Sequence, residues 1–306
     1  MKFDLTILGS NSATPIYNRN PSAQILNINE KLYLIDCGEG TQQQMLKFEV
    51  KASRIDFIFI SHLHGDHYFG LLGLLSSLHL NGRNKSIKIF GPKPLKEIID
   101  LQFNVSETKL QYEIEYNFTN PNEPEIILDN NDVIVETIPL VHGIPCTGFL
   151  FREKKRLRKL IKEKVSALNI PTEFFTAIKK GADYIDNQGV VFKNDSITLD
   201  SAIPKTYCYC SDTCFSESYF KQISNATLLY HESTFLHNML DRAKITQHTT
   251  VLQAAEVALK TNAKMLLIGH FSARYKTLNE LLEEAKSVFP NTELAIEGKT
   301  FQIGDE

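Results

Sequence analysis

The run SHLHGDHYFG at positions 61 to 70 directly follows IDFIFI, an apolar run of β-branched and aromatic residues. IDFIFI is typical of a buried strand. Three imidazoles and a carboxylate nevertheless follow it closely, those of His62, His64, Asp66 and His67. Core packing does not explain such a cluster, because buried polar groups need partners. We therefore expect this strand to end at a cleft that the four side chains share.

Three other apolar runs end in the same way. His142 closes VIVETIPLVH, Asp212 follows TYCYCS, and His270 closes KMLLIGH. A single histidine in such a place is usually a solvated loop residue. Chance does not readily explain why several strand ends share this feature. A strand end is where a rigid scaffold can direct side chains into a common site.

Strand-like and helix-like patterns alternate along the chain. The strand-like runs are FDLTILG, SAQILNI, KLYLIDC, IDFIFIS, SIKIF, LQYEIEY, DVIVETIPL, KTYCYC, ATLLYHE, AKMLLIGH and ELAIEG. Apolar residues three and four apart predict helices at 38–48, 68–79, 93–102, 249–261 and 277–289. Strands interleaved with helices indicate a layered α/β architecture.

The composition is that of a soluble globular protein, with 42% hydrophobic and 23% charged residues among 306. The N-terminus carries no secretion signal, and no apolar run reaches the roughly 18 residues that span a bilayer. We therefore expect a cytoplasmic protein with no membrane association. An odd number of cysteines predicts reduced thiols rather than a disulfide framework. They are Cys37, Cys146, Cys208, Cys210 and Cys214.

Positive charge is concentrated in one segment. Between Arg152 and Lys180 there are ten Lys or Arg against three Glu, so this segment carries +7 in a chain whose net charge is −3. Within it, KKRLRKLIKEKVSAL places apolar residues at helical spacing. These are Leu157, Leu160, Ile161, Val165 and Leu168. A solvated helix face is the usual meaning of such a run.

The first motif can supply donors for two metal ions. Side chains alternate along an extended segment, so His62 and His64 point the same way and can bind one ion. Gly65 allows a turn that directs Asp66 and His67 toward another. Neutral imidazole and carboxylate suit zinc or a similar ion.

The other strand ends complete this donor set. His142 would join the first ion, His270 the second, and Asp212 could offer one oxygen to each. Two neighbouring ions lower the pKa of a water between them and polarise a bound phosphoryl or carbonyl oxygen, which favours hydrolysis. A thiolate site at Cys208 and Cys210 is the weaker alternative, because alternation on one strand favours small buried side chains there.

HLHGDH, followed in order by His142, Asp212 and His270, resembles the metallo-β-lactamase superfamily. The resemblance implies an αβ/βα sandwich of two mixed sheets flanked by helices, with the metals at one edge. In relatives with a redox di-iron centre the second His of the motif is usually Glu. This chain has His64 at that position, so its motif looks more like that of a zinc hydrolase. A fold by itself does not choose a substrate.

Motifs outside the metal donors are similar to the ribonuclease Z family. They are SNSATPIYNRNPS, PLVHGIPCTGFLFRE, SDT, HEST, QHTT and HFSARY. Ser211, Ser233 and Thr249 stand where the family usually has Gly, Ala and Ser. The resemblance implies one domain over 1–306 with an inserted tRNA-binding arm at 150–185, two Zn²⁺ ions per subunit and a homodimer. The implied reaction removes the 3′ trailer of precursor tRNA after the discriminator nucleotide, leaving a tRNA 3′-hydroxyl and a 5′-phosphorylated trailer.

The resemblance also implies roles for three catalytic residues. Asp66 would accept or orient the proton of the attacking water. His248 would donate a proton to the leaving 3′ oxygen, and Glu232 would hold His248 in its charged form. Without the family, His248 could as well cap the helix at 249–261, and Glu232 could be a surface acid.

Further residues match the RNA contacts of the family. Arg274, near Ser272 in HFSARY, would clamp a phosphate. Thr14, Arg19 and Asn20 fit a loop that contacts the RNA end. The arm would contact phosphates without reading sequence, through Lys154, Lys155, Arg156, Arg158 and Lys159. A Gly-Pro motif common in such arms is absent, since Thr172 follows Pro171.

Two other functions remain compatible with the sequence. A metallo-hydrolase of small phosphodiesters or lactones would use the same metal donors but leaves the basic segment unexplained. A non-catalytic RNA-binding relative is disfavoured, because every donor and the proposed proton donor are present.

Overall fold

Two seven-stranded sheets carry the fold in the computed structural model, which describes residues 2–304. The strands are, in chain order, β1 (Phe3–Gly9), β2 (Ala23–Ile28), β3 (Lys31–Cys37), β4 (Ile55–Phe59), β5 (Ile87–Gly91), β6 (Ile114–Phe118), β7 (Ile126–Asp129), β8 (Val133–Leu140), β9 (Cys146–Glu153), β10 (Lys159–Leu160), β11 (Tyr184–Ile185), β12 (Val191–Phe192), β13 (Thr198–Leu199), β14 (Thr206–Cys210), β15 (Leu228–Glu232), β16 (Leu266–Gly269), β17 (Thr292–Leu294) and β18 (Thr300–Gln302).

The helices lie between these strands. The α-helices are α1 (Thr41–Lys47), α2 (Gly65–Tyr68), α3 (Leu71–Leu80), α4 (Pro94–Val105), α5 (Lys162–Ala167), α6 (Phe175–Lys179), α7 (Asn194–Ile197), α8 (Phe220–Ile223), α9 (Leu240–Thr246), α10 (Val251–Lys260) and α11 (Asn279–Val288). Single 3₁₀ turns occur at Ala52–Arg54, Thr172–Phe174 and His237–Met239. No helix among the described residues is both long enough and apolar enough to cross a membrane.

Both large sheets are mixed. The first has the order β18-β1-β2-β3-β4-β5-β6, antiparallel from β18 to β3 and parallel from β3 to β6. The second has the order β17-β16-β15-β14-β9-β8-β7, parallel from β17 to β14. Parallel neighbours bring their carboxyl ends to one edge of each sheet, which is where the polar strand ends of the sequence lie.

The two sheets pack face to face through aromatic side chains. Phe59 of β4 lies 5.3 Å from Phe149 and 5.2 Å from Phe151 of β9, measured between ring centroids. Tyr33 and Tyr207 belong to the same buried cluster. Burial of each such side chain contributes about 1.5–3 kcal/mol, so this layer stabilises the packing of the two sheets.

Helices cover the outer faces of the sheets. Leu71, Leu74 and Leu78 of α3 pack with Ile58 in a cluster on the first sheet. A separate cluster joins α10 and α11 to the second sheet, through Ala254, Ala258, Leu281, Cys208 and Ile268. The predicted α/β sandwich of two mixed sheets flanked by helices is therefore confirmed.

Some elements were not predicted from the sequence. All five predicted helices are present, and β6 begins at Ile114, later than the predicted LQYEIEY. The strands β7, β9 and β18 were missed, as were the four two-residue strands β10, β11, β12 and β13. In β9 every residue but Arg152 is buried, so no alternation of polar and apolar residues reveals the strand.

The chain divides into two compact units, of which the smaller is Glu153–Pro204 and the larger comprises the residues before and after it. The smaller unit extends further than the predicted 150–185. It has its own apolar cluster, formed by Val165, Ile170, Ile178, Tyr184 and Ile197. It carries ten basic and seven acidic residues, a net +3, because acidic residues after Lys180 offset much of the earlier charge.

The helix suggested by KKRLRKLIKEKVSAL is wrong over its first half. Lys159 and Leu160 form β10, paired with β13, and α5 begins only at Lys162. Arg158 donates to Thr198 Oγ1 at 2.7 Å and pairs with Asp195 at 2.8 Å. These partners, distant in sequence, hold the segment extended, so pairing within the unit overrides the local helical spacing.

Candidate metal centre and active site

Four strand ends meet at one site, as the sequence predicted. The segment after β4 carries His62 and His64, and α2 begins directly after His64 and places Asp66 and His67. His142 follows β8, Asp212 follows β14, and His270 follows β16. All these positions lie at the carboxyl ends of their strands.

The predicted donors form two groups around Asp212. Within each group the candidate ligand atoms lie within 4.8 Å of one another. One group is His62, His64, His142 and Asp212, and the other is Asp66, His67 and His270. Asp212 lies between them, since its Oδ2 is 3.5 Å from His62 Nε2 and its Oδ1 is 3.2 Å from His270 Nε2.

The donor atoms fit metal ions. His67 Nε2, Asp212 Oδ1 and His270 Nε2 are buried, close together and without a hydrogen-bond partner in the described part of the chain. Buried polar atoms without partners are costly, and a cation between them would satisfy all three. Burial lowers the pKa of His62 and of His142, which favours the neutral imidazole that ligates metals.

A second layer of hydrogen bonds orients the imidazoles. Asp36, fully buried, accepts from His67 Nδ1 at 2.7 Å, Tyr209 Oη at 2.6 Å and Ser61 Oγ at 2.9 Å. With Nδ1 engaged, His67 presents Nε2 to the cluster. Such carboxylate–histidine pairs fix the ring orientation of metal ligands.

Sequence reasoning missed Asp36. It lies near the end of KLYLIDC, just as His270 closes KMLLIGH, so the signal was present. Two other imidazoles, those of His270 and His142, also have a hydrogen-bond partner on Nδ1. Thr234 Oγ1 is 3.0 Å from His270 Nδ1, and the Gln247 carbonyl oxygen is 3.0 Å from His142 Nδ1.

Glu232 joins three loops at the site. Its buried carboxylate accepts from the Thr213 N–H at 3.2 Å, from the Thr249 N–H at 2.9 Å and from Thr234 Oγ1 at 2.8 Å. It also lies 2.9 Å from His248 Nδ1. Burial lowers the pKa of His248, but the Glu232 carboxylate outweighs this effect and raises the pKa to about 9.

The structure contradicts both alternative roles, helix cap for His248 and surface acid for Glu232. Thr250, not His248, caps α10, in a capping box with Gln253. Glu232 is fully buried rather than a surface acid. His248 therefore has a charged partner on Nδ1 and leaves Nε2 available to a bound molecule.

A cavity of about 630 Å³ opens onto the metal donors. Its wall includes Thr14, Ser272 and Arg274, together with Asp66 and His248. The Arg274 guanidinium lies 5.8 Å from the centroid of the Phe235 ring. The structure thus brings three predicted RNA-contact residues to the same cavity as the proposed catalytic groups.

Arg19 and Asn20 do not line this cavity. The Arg19 guanidinium donates to Asn11 Oδ1 at 3.0 Å and to the carbonyl oxygens of Tyr275, at 2.6 Å, and Lys276, at 3.4 Å. The Asn20 N–H donates to Glu297 Oε1 at 2.5 Å. The Arg19 guanidinium and the Asn20 backbone N–H are thus bonded within the protein, and contacts of these residues with RNA stay a prediction.

The predicted arm contacts lie in the unit Glu153–Pro204. Arg156 pairs with Glu153 at 3.0 Å, and Arg158 pairs with Asp195 and Asp200. Lys155 and Lys159 are exposed. Two of the predicted contact residues thus have structural partners inside the unit.

The cysteines do not form a metal site. Cys208 and Cys210 are buried in the core on β14, as the sequence predicted. Burial raises the pKa of Cys208 to about 12, which disfavours a thiolate. Among the remaining histidines, His231 Nε2 is 3.0 Å from Tyr219 Oη and has a structural role.

The fold and this site together define a protein of the metallo-β-lactamase fold. A crystal structure of a metallo-β-lactamase-fold protein, YhfI from Bacillus subtilis, superposes with a TM-score of 0.70 over 99% of this chain and 100% of the other, at 18% identity. A family model described as anti-Pycsar protein Apyc1 matches residues 3–156, half of the chain, and places that half in its family.

Relatives named ribonuclease Z match nearly the whole chain. The one from Bacteroides fragilis is 45% identical over 97% of each chain, and the one from Cytophaga hutchinsonii is 46% identical over 100% of this chain and 97% of the other. A crystal structure of human tRNase Z, short form, superposes with a TM-score of 0.71 at 28% identity, covering 99% and 100% of the two chains. The chain belongs to the ribonuclease Z family.

Proposed function

We propose that the protein is a zinc-dependent endoribonuclease that removes the 3′ trailer of precursor tRNA. The cut would follow the discriminator nucleotide and leave a tRNA 3′-hydroxyl and a 5′-phosphorylated trailer. The observation that carries this proposal is the Glu232–His248 pair at the rim of a cavity lined by the metal donors, in a chain with full-length ribonuclease Z relatives.

Two Zn²⁺ ions per subunit fit the two donor groups. His62, His64 and His142 would hold one ion, and Asp66, His67 and His270 the other, with one oxygen of Asp212 toward each. The chemistry that zinc supplies when bound is to lower the pKa of a water and to polarise a phosphoryl oxygen.

The protein's own groups would handle the protons. Asp66 lies on the cavity wall, where its carboxylate can accept or orient the proton of an attacking water. His248, kept charged by Glu232, would give its Nε2 proton to the departing 3′ oxygen of the tRNA. Arg274 and Ser272, on the same wall, would contact the phosphate.

The unit Glu153–Pro204 would be the tRNA-binding arm. Its net +3 charge supports phosphate contacts that supply affinity without sequence readout. Its exposed Lys155 and Lys159 are the best placed for this role. The homodimer comes from the family resemblance. The cytoplasmic location is the expectation drawn from the sequence, and the five free cysteines accord with a reducing compartment.

The deciding experiment compares two RNAs of equal length, a precursor tRNA and an unstructured RNA, with the zinc-loaded protein. We expect one cut in the precursor, after the discriminator nucleotide, and little cleavage of the unstructured RNA. An Asp212→Asn variant, checked for metal content, serves as the inactive control. Hydrolysis of small phosphodiesters without a specific cut in the precursor would instead favour a general metallo-hydrolase.

A further inference from the structure

The loop between β1 and β2 forms one wall of the cavity. Ser12, Ala13, Thr14 and Pro15 line it. The Ala13 N–H donates to Asp66 Oδ2 at 2.7 Å. This backbone bond sets the position of the carboxylate that faces the cavity, so the placement of the loop matters for Asp66.

The loop combines a closed tip with a strained wall, and Ile16 and Arg19 exchange two backbone bonds, at 3.0 and 2.9 Å, across the tip. Ala13, Tyr17 and Asn18 all have left-handed backbone conformations, with φ of 62°, 54° and 60°. Residues with a Cβ rarely adopt this conformation unless surrounding contacts impose it. The bonds between Ile16 and Arg19 account for Tyr17 and Asn18, whereas Ala13 is held from outside the loop through its bond to Asp66.

Glu297 contacts both ends of the loop at its base. Its carboxylate accepts from the Asn20 N–H at 2.5 Å and from the Ser10 N–H, the two residues that flank the segment 11–19. It also accepts from Gln44 Nε2 of α1. One carboxylate thus joins both ends of the loop to α1, the helix that follows β3 of the first sheet.

The backbone that carries Glu297 is itself fixed. Glu297 lies between β17 of the second sheet and β18 of the first. The next residue, Gly298, donates its N–H to the Ile7 carbonyl oxygen at 2.8 Å and has a φ of 82°. A Cβ at Gly298 would lie 2.4 Å from the Phe48 ring. Glu297 is thus presented from a rigid turn.

We infer that Glu297 is a positioning residue that closes the base of the loop 11–19 and, through the Ala13 N–H, holds Asp66 in its orientation at the cavity. None of the bonds described above joins Glu297 directly to a metal donor or to the Glu232–His248 pair. The expected effect of Glu297 on hydrolysis rests on the proposed function, whereas its effect on the loop does not.

The test is hydrogen–deuterium exchange of the full-length, zinc-loaded protein. For Glu297→Ala we expect exchange in peptides covering 10–22 to be at least about tenfold faster, with peptides over β14 to β16 unchanged. Glu297→Gln keeps one carbonyl acceptor and should be intermediate. Glu293→Ala is the matched control, because Glu293 pairs with Lys299 near the same turn without touching the loop.

Kinetics give a second readout on a small phosphodiester, bis(p-nitrophenyl) phosphate. Loss of the loop position should lower kcat of Glu297→Ala about tenfold with KM little changed, because Asp66 loses its orientation while the other candidate metal donors keep their places. Unchanged exchange in 10–22, or equal acceleration along the whole chain, would overturn the inference. Faster exchange in 10–22 would support the loop role even if the protein cleaved no tRNA.

Discussion

At the scale of single residues, the roles of the site are set by partners that lie far away in sequence. The Glu232 carboxylate, 2.9 Å from His248 Nδ1, raises the pKa of this imidazole against the effect of burial, and His67 presents Nε2 because Asp36 engages its Nδ1. Both carboxylates are fully buried. A buried carboxylate acts strongly on its neighbours because little water screens it.

Replacing His248 with Ala should reduce kcat for precursor tRNA by about 10² to 10⁴-fold, the usual contribution of a general acid. Zinc content should not change, because both donor groups remain complete. Single-turnover cleavage with metal analysis of the same sample tests this. His79→Ala is a suitable control, since the half-buried His79 imidazole accepts from the Gln111 N–H and lies outside the candidate site. Loss of zinc from the His248 variant would make that residue a ligand.

Glu297 should give the stability a measurable pH dependence. Burial raises its pKa from 4.5 to about 7, against the Asn20 and Ser10 N–H donors and the positive charge of Lys47; the charge of Arg19 also faces it. A carboxyl with a raised pKa contributes stability below about pH 4.5 that is lost as the pH rises through about 7. The free energy of unfolding of the wild type, relative to Glu297→Gln, should therefore fall between these values. A constant difference across that range would contradict the assignment.

At the scale of elements, the site is built where strands of two sheets end and three loops follow. The loop between β1 and β2 is joined to the segment after β16, since the Ser12 N–H donates to the Phe271 carbonyl oxygen at 3.0 Å. Arg19 strengthens this junction through Tyr275 and Lys276. These contacts make the two loops one structural element.

We expect Arg19→Ala to act through this junction rather than through RNA affinity. It should lower kcat for bis(p-nitrophenyl) phosphate and precursor tRNA by similar factors, roughly ten to a hundredfold, with the salt dependence of tRNA binding unchanged. Lys276→Ala is the matched control, because it removes an exposed cation but keeps the carbonyl acceptor. If Arg19 contacts RNA phosphate, only the tRNA reaction should weaken and the salt slope should fall by about one.

At the scale of the whole molecule, the chain consists of a sandwich with a complete set of metal donors and an inserted unit with its own small core. Arg152 of β9 pairs with Thr206 of β14 in an antiparallel ladder. The sandwich can therefore be closed without the insert, because a two-residue turn joins such strands.

Replacing 153–205 with Asn-Gly should leave zinc content and bis(p-nitrophenyl) phosphate hydrolysis near the wild-type values. Cleavage of precursor tRNA should fall by more than about a hundredfold, because the phosphate contacts of the arm are lost. A Lys155→Ala, Lys159→Ala variant should give a smaller loss that shrinks as salt rises, because the variant makes fewer phosphate contacts and its salt slope is lower. Full tRNA cleavage by the shortened protein would show that the insert is not the RNA-binding arm.

Much of this protein follows from the sequence itself. Periodicity and turn residues predict most strands and five of the eleven α-helices among the described residues. Polar residues at the ends of apolar runs predict the seven candidate metal donors, because both signals are local. The tertiary structure alone decided the rest. The hydrogen bonds of Asp36, Glu297 and Arg19 are made with groups tens to hundreds of residues away. Leu157 and Leu160 are not in the predicted helix, because their segment pairs with a strand that is distant in sequence. Spacing along the chain carries no record of such partners, whereas burial makes their hydrogen bonds strong enough to determine which side chains can act.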